Sequence, residues 1–295
     1  MALIDMMETF QMTNPGAHID ATDVYNSNDN LLDNAYFVGG GSQLGDGIFP
    51  INQRGQTSYS AYTNSIDRWY AAAAMTVAAD GISCGVIVQK LPHVENLNGK
   101  TLTFSALLAD GTMLSGYAVF NSASDTYFYR DAGASEFLMY NTYFGGFEVA
   151  TADKIAAVKL ELGTVSTLAN DVPPDFGEEL EKCKRYLQRV IQPQGYTSSV
   201  GFGMVGDASN ILRTTIPLSS PLRNAAIITA TATNTGQIFV WGNGSHYSVT
   251  GVTGRTVLNG NAIVDITVNG TLENYKTYNL ILNNADTYID LSAEP

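Results

Sequence analysis

The stretch that decides the fold is AAVKLELGTVSTLANDVPPDFGEELEKCKRYLQRVIQ, residues 156–192. Val158-Lys-Leu-Glu-Leu-Gly predicts a strand that closes a first β-region. Asn170-Asp-Val-Pro-Pro-Asp predicts a loop, because proline lacks an N–H donor and restricts the residue before it. Asp175 then predicts the cap of one amphipathic helix over residues 175–192, with acidic residues early and basic residues late, as the helix dipole favours. This stretch therefore predicts a linker with one helix between two β-regions.

The predicted helix carries an apolar stripe with alternating steps of four and three residues. Its members are Phe176, Leu180, Cys183, Leu187 and Val190. Such heptad-like spacing fits three copies packed around an axis, although a helix this short is marginal unless it docks elsewhere. The alternative is that the stripe covers the β-core of its own chain. The pattern is compatible with both a homotrimer and intrachain packing.

Several parts of the chain resemble fibre proteins of phages and prophages. The resemblance at the junction lies in Lys159-Leu-Glu-Leu-Gly, Ala169-Asn-Asp-Val-Pro-Pro-Asp and Glu179-Leu-Glu-Lys-Cys-Lys-Arg-Tyr-Leu-Gln. Upstream, Asn30-Leu-Leu-Asp-Asn-Ala-Tyr-Phe, Ile51-Asn-Gln-Arg-Gly-Gln and Ile66-Asp-Arg-Trp resemble the opening of the carbohydrate-binding-module-like jelly roll in the same proteins. The ending Tyr288-Ile-Asp-Leu-Ser-Ala-Glu resembles their fibre tips.

This resemblance implies a virion protein that is assembled in the cytoplasm of a bacterial host and is trimeric. It also implies that Trp69 is structural, and we expect Asp67 and Arg68 to pair locally.

Composition predicts an all-β protein. Charged residues make up only 15% of the 295 residues, and the 28 glycines predict tight turns between strands. The net charge of −13 argues against nucleic-acid binding, which needs clustered Lys and Arg. Cys84 and Cys183 form no disulfide framework, and no apolar run reaches the roughly 20 residues that insertion into a membrane requires. His18, His93 and His246 are isolated, so neither a metal nor another cofactor is predicted.

The pattern of strands and turns divides the chain into four parts. Residues 1–30 form an N-terminal arm that either anchors to other virion proteins or is a frayed terminus. For residues 31–165, glycine turns at regular spacing predict a β-sandwich, and the resemblance implies that this sandwich is a jelly roll. Residues 166–192 form the linker and helix. Residues 193–295 form a second small β-sandwich, the fibre tip, in which residues 247–250 are one short strand.

Aromatic residues supply the candidate glycan-binding sites, since sugar rings stack on exposed aromatic side chains while polar groups bind hydroxyls. In the first domain the candidates are Tyr127, Tyr129, Arg130, Tyr140 and Tyr143. In the second domain they are Trp241, Asn243, His246 and Tyr247, in and beside a glycine-flanked hairpin. The alternatives are sheet packing for the tyrosines and a core position for Trp241.

Catalytic chemistry has weaker support. A glycosidase needs two carboxylates that face each other across a cleft, and the acidic residues here are numerous without being paired by any pattern. Asn26-Ser-Asn-Asp-Asn with Asp20 and Asp23 offers oxygens for calcium but lacks the glycine and glutamate of an EF-hand loop. We therefore predict a non-enzymatic virion fibre that attaches to polysaccharide on the host surface. A structural head fibre or decoration protein is the main competitor, and a carbohydrate-active enzyme is a remote one.

Overall fold

The structure is a computed structural model. It describes residues 29–40, 48–91, 94–121, 123, 126–130, 134–140, 146–149, 153–191, 198–206, 208–223, 229–284 and 286–293, and for 126–130, 134–140 and 146–149 it describes the backbone. Strands predominate, which confirms the all-β class. The predicted arm, the calcium-site residues before Asp29 and Tyr143 lie outside the described residues.

The first half of the chain forms two six-stranded antiparallel sheets. Their strands are β1 Ser58–Tyr59, β2 Thr63–Asn64, β3 Tyr70–Ala71, β4 Met75–Ala78, β5 Gly81–Cys84, β6 Ile87–Lys90, β7 Thr101–Leu108, β8 Met113–Val119, β9 Thr126–Arg130, β10 Ala134–Tyr140, β11 Gly146–Val149 and β12 Lys154–Leu162. The strand orders are β1-β4-β5-β12-β7-β8 and β2-β3-β6-β11-β10-β9. Side chains from both sheets, including Met75, Ile87 and Phe104, share one apolar core.

Strand β12 is buried on both faces. One face contributes Ile155, Val158 and Leu160 to the core. On the other, Lys159 and Glu161 are fully buried beneath the linker. The Lys159 ammonium donates to an Asp171 carboxylate oxygen at 2.5 Å, and Glu161 accepts from the Thr167 hydroxyl at 2.6 Å. The charged residues of this strand therefore fasten the linker, because a buried charge needs paired partners.

The helix is shorter than predicted. Helix α1 spans Phe176–Lys184, and the Asp175 carboxylate caps it by accepting from the Glu178 N–H at 3.0 Å. Strand β13, Leu187–Ile191, follows and pairs with the last strand of the chain. Strand pairing, a tertiary contact, overrides the helical periodicity of the sequence.

The predicted five-residue stripe is consequently wrong as a helix face. Phe176, Leu180 and Cys183 lie on α1, whereas Leu187 and Val190 lie on β13. Phe176 packs edge-on against Phe49, with ring centroids 5.5 Å apart, and Cys183 and Leu187 are buried within the chain.

The second half of the chain forms a closed barrel rather than the predicted second sandwich. The remaining strands are β14 Ser198–Val205, β15 Ile211–Pro217, β16 Thr229–Ala232, β17 Ile238–Gly242, β18 Ser245–Leu258, β19 Asn261–Val268, β20 Thr277–Leu282 and β21 Tyr288–Ser292. The barrel order is β14-β15-β19-β18-β17-β20, and β13, β21 and β16 form a separate sheet. Where residues 247–250 were predicted as one short strand, β18 runs for 14 residues. Two register shifts in β18 let it bend around the barrel.

Residues from the segments around Asn34, Ile51 and Trp69 meet in one buried polar network. The Asn34 amide donates to the Ile51 and Asp67 carbonyls, both at 2.8 Å, and its oxygen accepts from the Ile51 N–H at 2.7 Å. The Trp69 indole donates to the Asn34 carbonyl at 2.8 Å, and Glu179 of α1 accepts from the Asn34 N–H. Trp69 is buried in this network and therefore has a structural position in the fold, as expected.

The expected local pair of Asp67 and Arg68 is wrong. The Arg68 guanidinium instead donates to Asp33 at 2.8 Å and covers the Tyr186 ring at 3.5 Å. Asp67 accepts from the Gln53 backbone N–H at 2.9 Å. The two side chains diverge because consecutive residues rarely face each other, and Arg68 has a positive φ of 73°.

Hydrogen bonds between a loop of the first half, at Gln53 and Arg54, and strand β13 connect the first half to the three-stranded sheet. The Gln53 amide donates to the Leu187 carbonyl at 2.7 Å. Arg189 donates to the Arg54 carbonyl, pairs with Asp290 at 2.7 Å and covers the Tyr288 ring at 3.5 Å. These contacts hold the three-stranded sheet against the first half of the chain.

Candidate functional site

An exposed row of side chains crosses the outer surface of the barrel. Phe202 on β14 lies opposite Asn279 on β20. Asn279 lies opposite Trp241 on β17, and Trp241 lies opposite His246 on β18. Phe202 is 62% exposed and Trp241 48% exposed. We name these four residues the aromatic row.

The geometry of the row is set by the sheet. Neighbouring strands lie about 4.8 Å apart, so Phe202 and Trp241, two strands apart, are separated by roughly 10 Å. The Trp241 and His246 rings stack with centroids 5.8 Å apart and an interplanar angle of 17°. Phe239 meets the His246 ring edge-on at 5.5 Å. The row is therefore an elongated platform with one rigid, preformed end.

The hairpin between β17 and β18 fixes that rigid end. Asn243 and Gly244 have φ values of 51° and 76°, and they form the two-residue turn that joins Gly242 to its partner Ser245. A Cβ atom at Gly242 would lie 2.4 Å from the Tyr278 ring. Glycine at this position thus lets the hairpin pack closely on the barrel, with Trp241 directly opposite His246.

The structure separates the four candidates predicted in this hairpin. Trp241 and His246 lie together on the outer surface. Asn243 lies in the turn, where its amide donates to Glu273. Tyr247 lies opposite the buried Val240 and packs edge-on against Tyr278, with centroids 6.1 Å apart. Trp241 and His246 are the two members of this set that share the exposed row.

Phe202 and Asn279 were not predicted from the sequence as site residues. Phe202 lies in Gly201-Phe-Gly-Met, where large side chains alternate with glycines. A Cβ atom at Gly203 would lie 2.1 Å from the Arg213 carbonyl oxygen, so β14 carries its large side chains on the outer face. That alternation was the signal for Phe202. For Asn279 no local signal exists, because strand pairing alone brings it beside Trp241.

The tyrosine candidates of the first domain are placed through the backbone alone. Tyr127, Tyr129 and Arg130 lie on β9, and Tyr140 lies on β10. The two strands pair antiparallel, with Tyr127 opposite Leu138. Their side chains lie outside the described residues, as does all of Tyr143, so this predicted platform stays a prediction.

A cleft of about 600 Å³ lies beside the linker. Asp29, Asp171 and Glu179 supply its carboxylates. Two of them bind lysines: Asp171 binds Lys159 at 2.5 Å and Glu179 binds Lys182 at 2.9 Å. Burial and the Asp171 charge raise the pKa of Tyr36, also in this cleft, to about 12, so its hydroxyl stays protonated at neutral pH. Asp171 and Glu179 are therefore engaged in ion pairs with lysines of the same chain.

The described residues include no group of three or more His, Cys, Asp and Glu side chains placed to hold a metal ion. Within the same residues, no helix is long and apolar enough to span a bilayer. Comparison of the chain with protein-family models, with curated proteins and with solved structures found no match.

Proposed function

We propose that this protein is a non-enzymatic phage fibre protein that attaches to glycans on the host surface. The observation that carries the proposal is the aromatic row on the outside of the barrel. In this proposal the first half of the chain is a carbohydrate-binding-like jelly roll, and residues 1–30 dock on other virion proteins. The protein works as a homotrimer on the virion.

The chemistry of the row fits a saccharide chain. Sugar rings present apolar C–H faces that stack on Trp and Phe, and they present hydroxyls that bind amide and imidazole groups. Trp241 and Phe202 supply the rings, and Asn279 and His246 supply the polar groups between and beside them. Within the described residues, the Asn279 side chain has no hydrogen-bond partner, so its amide is free to bind a ligand.

The test is adsorption of the fluorescently labelled full chain to a panel of bacterial strains and to their purified surface polysaccharides. The variant Trp241→Ala with Phe202→Ala should weaken binding at least about tenfold, as expected for central aromatic contacts. Tyr117→Ala is the matched control, because it removes an exposed aromatic side chain from β8 in the other half of the chain. Equal binding by the row variant and the parent would exclude the row as the site.

A structural role in the virion is the second candidate, and exposed apolar side chains in the linker and directly before it favour this role. Val172 is 84% exposed and Val165 66% exposed, and such residues fit burial against another virion protein. Light scattering coupled to size exclusion would give the native mass. A mass of three chains fits a fibre, whereas a monomer that binds neither cells nor glycans fits an assembly protein. Turnover of a polysaccharide by the purified chain would indicate an enzyme.

A further inference from the structure

A groove of about 700 Å³ lies on the barrel beside the aromatic row and shares Phe202 with it. Its walls include the exposed apolar side chains of Met204 and Tyr275. Strand pairing aligns the groove with the row: Met204 and Arg213 are opposite each other, as are Phe202 and Thr215 one pleat away. A ligand lying along the row would therefore extend into this groove.

The groove has an excess of positive charge, whereas the chain as a whole is acidic. Arg213 and Arg255 both bind the carboxylate of Asp265, through Nε atoms at 3.2 Å and 2.5 Å. Among the described residues that line the groove, these are the charged ones, two positive and one negative. The chain as a whole carries a net charge of −13. The groove is thus a local positive site on an acidic protein.

The two guanidinium groups are available to a ligand. Their side chains are 57% and 50% exposed, whereas that of Asp265 is 13% exposed. Within the described part of the chain, both arginines form their hydrogen bonds to Asp265 through Nε, and their terminal nitrogens donate no hydrogen bond. Guanidinium groups bind carboxylate and phosphate through paired N–H donors. Asp265 therefore binds each guanidinium at Nε, and the terminal N–H donors of both arginines can bind an anion.

We propose that this groove binds the acidic group of an anionic saccharide whose sugar rings lie on the aromatic row. The inference rests on the proposed glycan attachment and assigns its ligand class. The shared chemistry is an anionic substituent on a sugar, either a carboxylate or a phosphate. Met204 and Tyr275 contact the apolar part of the acidic sugar, and the two arginines neutralise the charge of its anionic group.

The first arm of the test uses the surface polysaccharide of the strain that the parent protein binds best. It is offered native, after carbodiimide reduction of its carboxyl groups, and after dephosphorylation. The second arm uses oligogalacturonate against its methyl ester, and oligosialic acid against its carboxyl-reduced form. We expect the parent to bind at least one acidic form about tenfold or more tightly than its neutral counterpart. The treatment that abolishes the preference identifies the acidic group.

The variant Arg213→Ala with Arg255→Ala should lose this preference. Lys100→Ala with Lys154→Ala removes the same charge from exposed positions outside the barrel and should keep it. Asp265→Asn keeps an oxygen that can accept from the Nε groups but removes the negative charge beside the two arginines, so it should tighten binding of the acidic form while leaving binding of the neutral form unchanged. Thermal unfolding of each variant checks that the barrel is intact.

Equal binding of acidic and neutral forms by the parent would overturn the inference, as would an equal loss of preference in the lysine control. Weaker acidic binding by Asp265→Asn, down to the level of the double arginine variant, would also overturn it. The two proposals fail separately. If the row does not bind glycans, its variants bind all probes as the parent does. If the row binds glycans but the groove does not recognise acids, the row variants lose binding while the arginine variants bind as the parent does.

Discussion

Asn34 joins three segments of the chain that are distant in sequence. It has a positive φ of 51°, a conformation that Asn tolerates better than most residues. Its buried amide satisfies the backbone of Ile51 and Asp67, and its carbonyl accepts from Trp69. A single polar side chain can join these segments because buried backbone groups must be paired, and its amide offers both donors and an acceptor.

The variant Asn34→Ala should lower the free energy of unfolding by about 3–5 kcal/mol, because it removes the three buried hydrogen bonds that the Asn34 side chain makes to backbone groups. Urea unfolding measures the change. The control Asn64→Ala lies in the same half of the chain at an exposed position of β2 and should change stability by less than about 0.5 kcal/mol. A loss below about 1 kcal/mol for Asn34→Ala would show that water replaces its contacts.

Cys84 and Cys183 should be inert in the folded protein. Burial raises the pKa of both thiols, and for Cys183 the nearby Asp67 and Glu179 carboxylates raise it further. A raised pKa lowers the fraction of thiolate, the reactive form, at any given pH. At pH 8 an aromatic disulfide reagent should label neither thiol in buffer and both in denaturant. Rapid native labelling of either cysteine would contradict the burial described here.

At the scale of elements, α1 and β13 show how neighbouring residues divide between two structures. Asp175 and the acidic first turn of α1 specify where the helix begins. Its end is specified by β21, which pairs with Leu187 through Ile191. Gln188 supports the change of direction, because its amide oxygen accepts from the Ser219 N–H at 2.9 Å.

The helix cap is testable by itself. Asp175→Ala should destabilise the protein by about 1 kcal/mol, since the Glu178 N–H then loses its partner. Asp175→Asn keeps an acceptor at the same place and should retain most of that stability. Melting temperatures of the two variants and the parent provide the comparison, and equal melting of all three would mean that the cap contributes nothing.

The variant Leu187→Glu distinguishes burial of Leu187 within its own chain from burial in the predicted trimer interface. Leu187 is buried within its own chain, so a carboxylate there should destabilise the fold by more than about 4 kcal/mol. Chemical denaturation would detect this, and light scattering would follow the native mass. Loss of mass with unchanged stability would instead indicate that Leu187 lies in an interface between copies.

At the scale of the whole molecule, the two halves are joined by polar contacts around Arg189. Its guanidinium binds Asp290 and the Arg54 carbonyl and covers the Tyr288 ring. Together with the contact from Gln53 to Leu187, this makes the three-stranded sheet part of the support for both halves. Loss of Arg189 leaves the Asp290 carboxylate without its cation, and this costs more than the loss of a surface ion pair.

Cooperative unfolding across this junction is testable with tryptophan fluorescence. In Trp241→Phe, Trp69 alone reports on the first half of the chain, while far-ultraviolet circular dichroism reports on both halves. The two midpoints should coincide in this variant and separate when Arg189→Ala is added, because the halves then unfold independently. Arg255→Ala removes an exposed barrel arginine and serves as the control. Coincident midpoints in the Arg189→Ala variant would show that other contacts couple the halves.

The sequence by itself determined the all-β class, the linker and the start of the helix, and these depend on local chemistry. Glycine turns, paired prolines and the Asp175 cap act through the backbone within a few residues. It also marked Trp241 and His246, because an Asn-Gly turn places its flanking residues opposite each other.

The tertiary structure alone decided the end of α1, the closure of the barrel and the complete aromatic row. Leu187 and Val190 fit a helix as well as a strand until β21 lies beside them. Phe202 and Asn279 meet Trp241 through the pairing of β14, β20 and β17, whose partners are far apart in sequence. The physical reason is that pairing between strands depends on register and packing between distant segments, which no local pattern specifies.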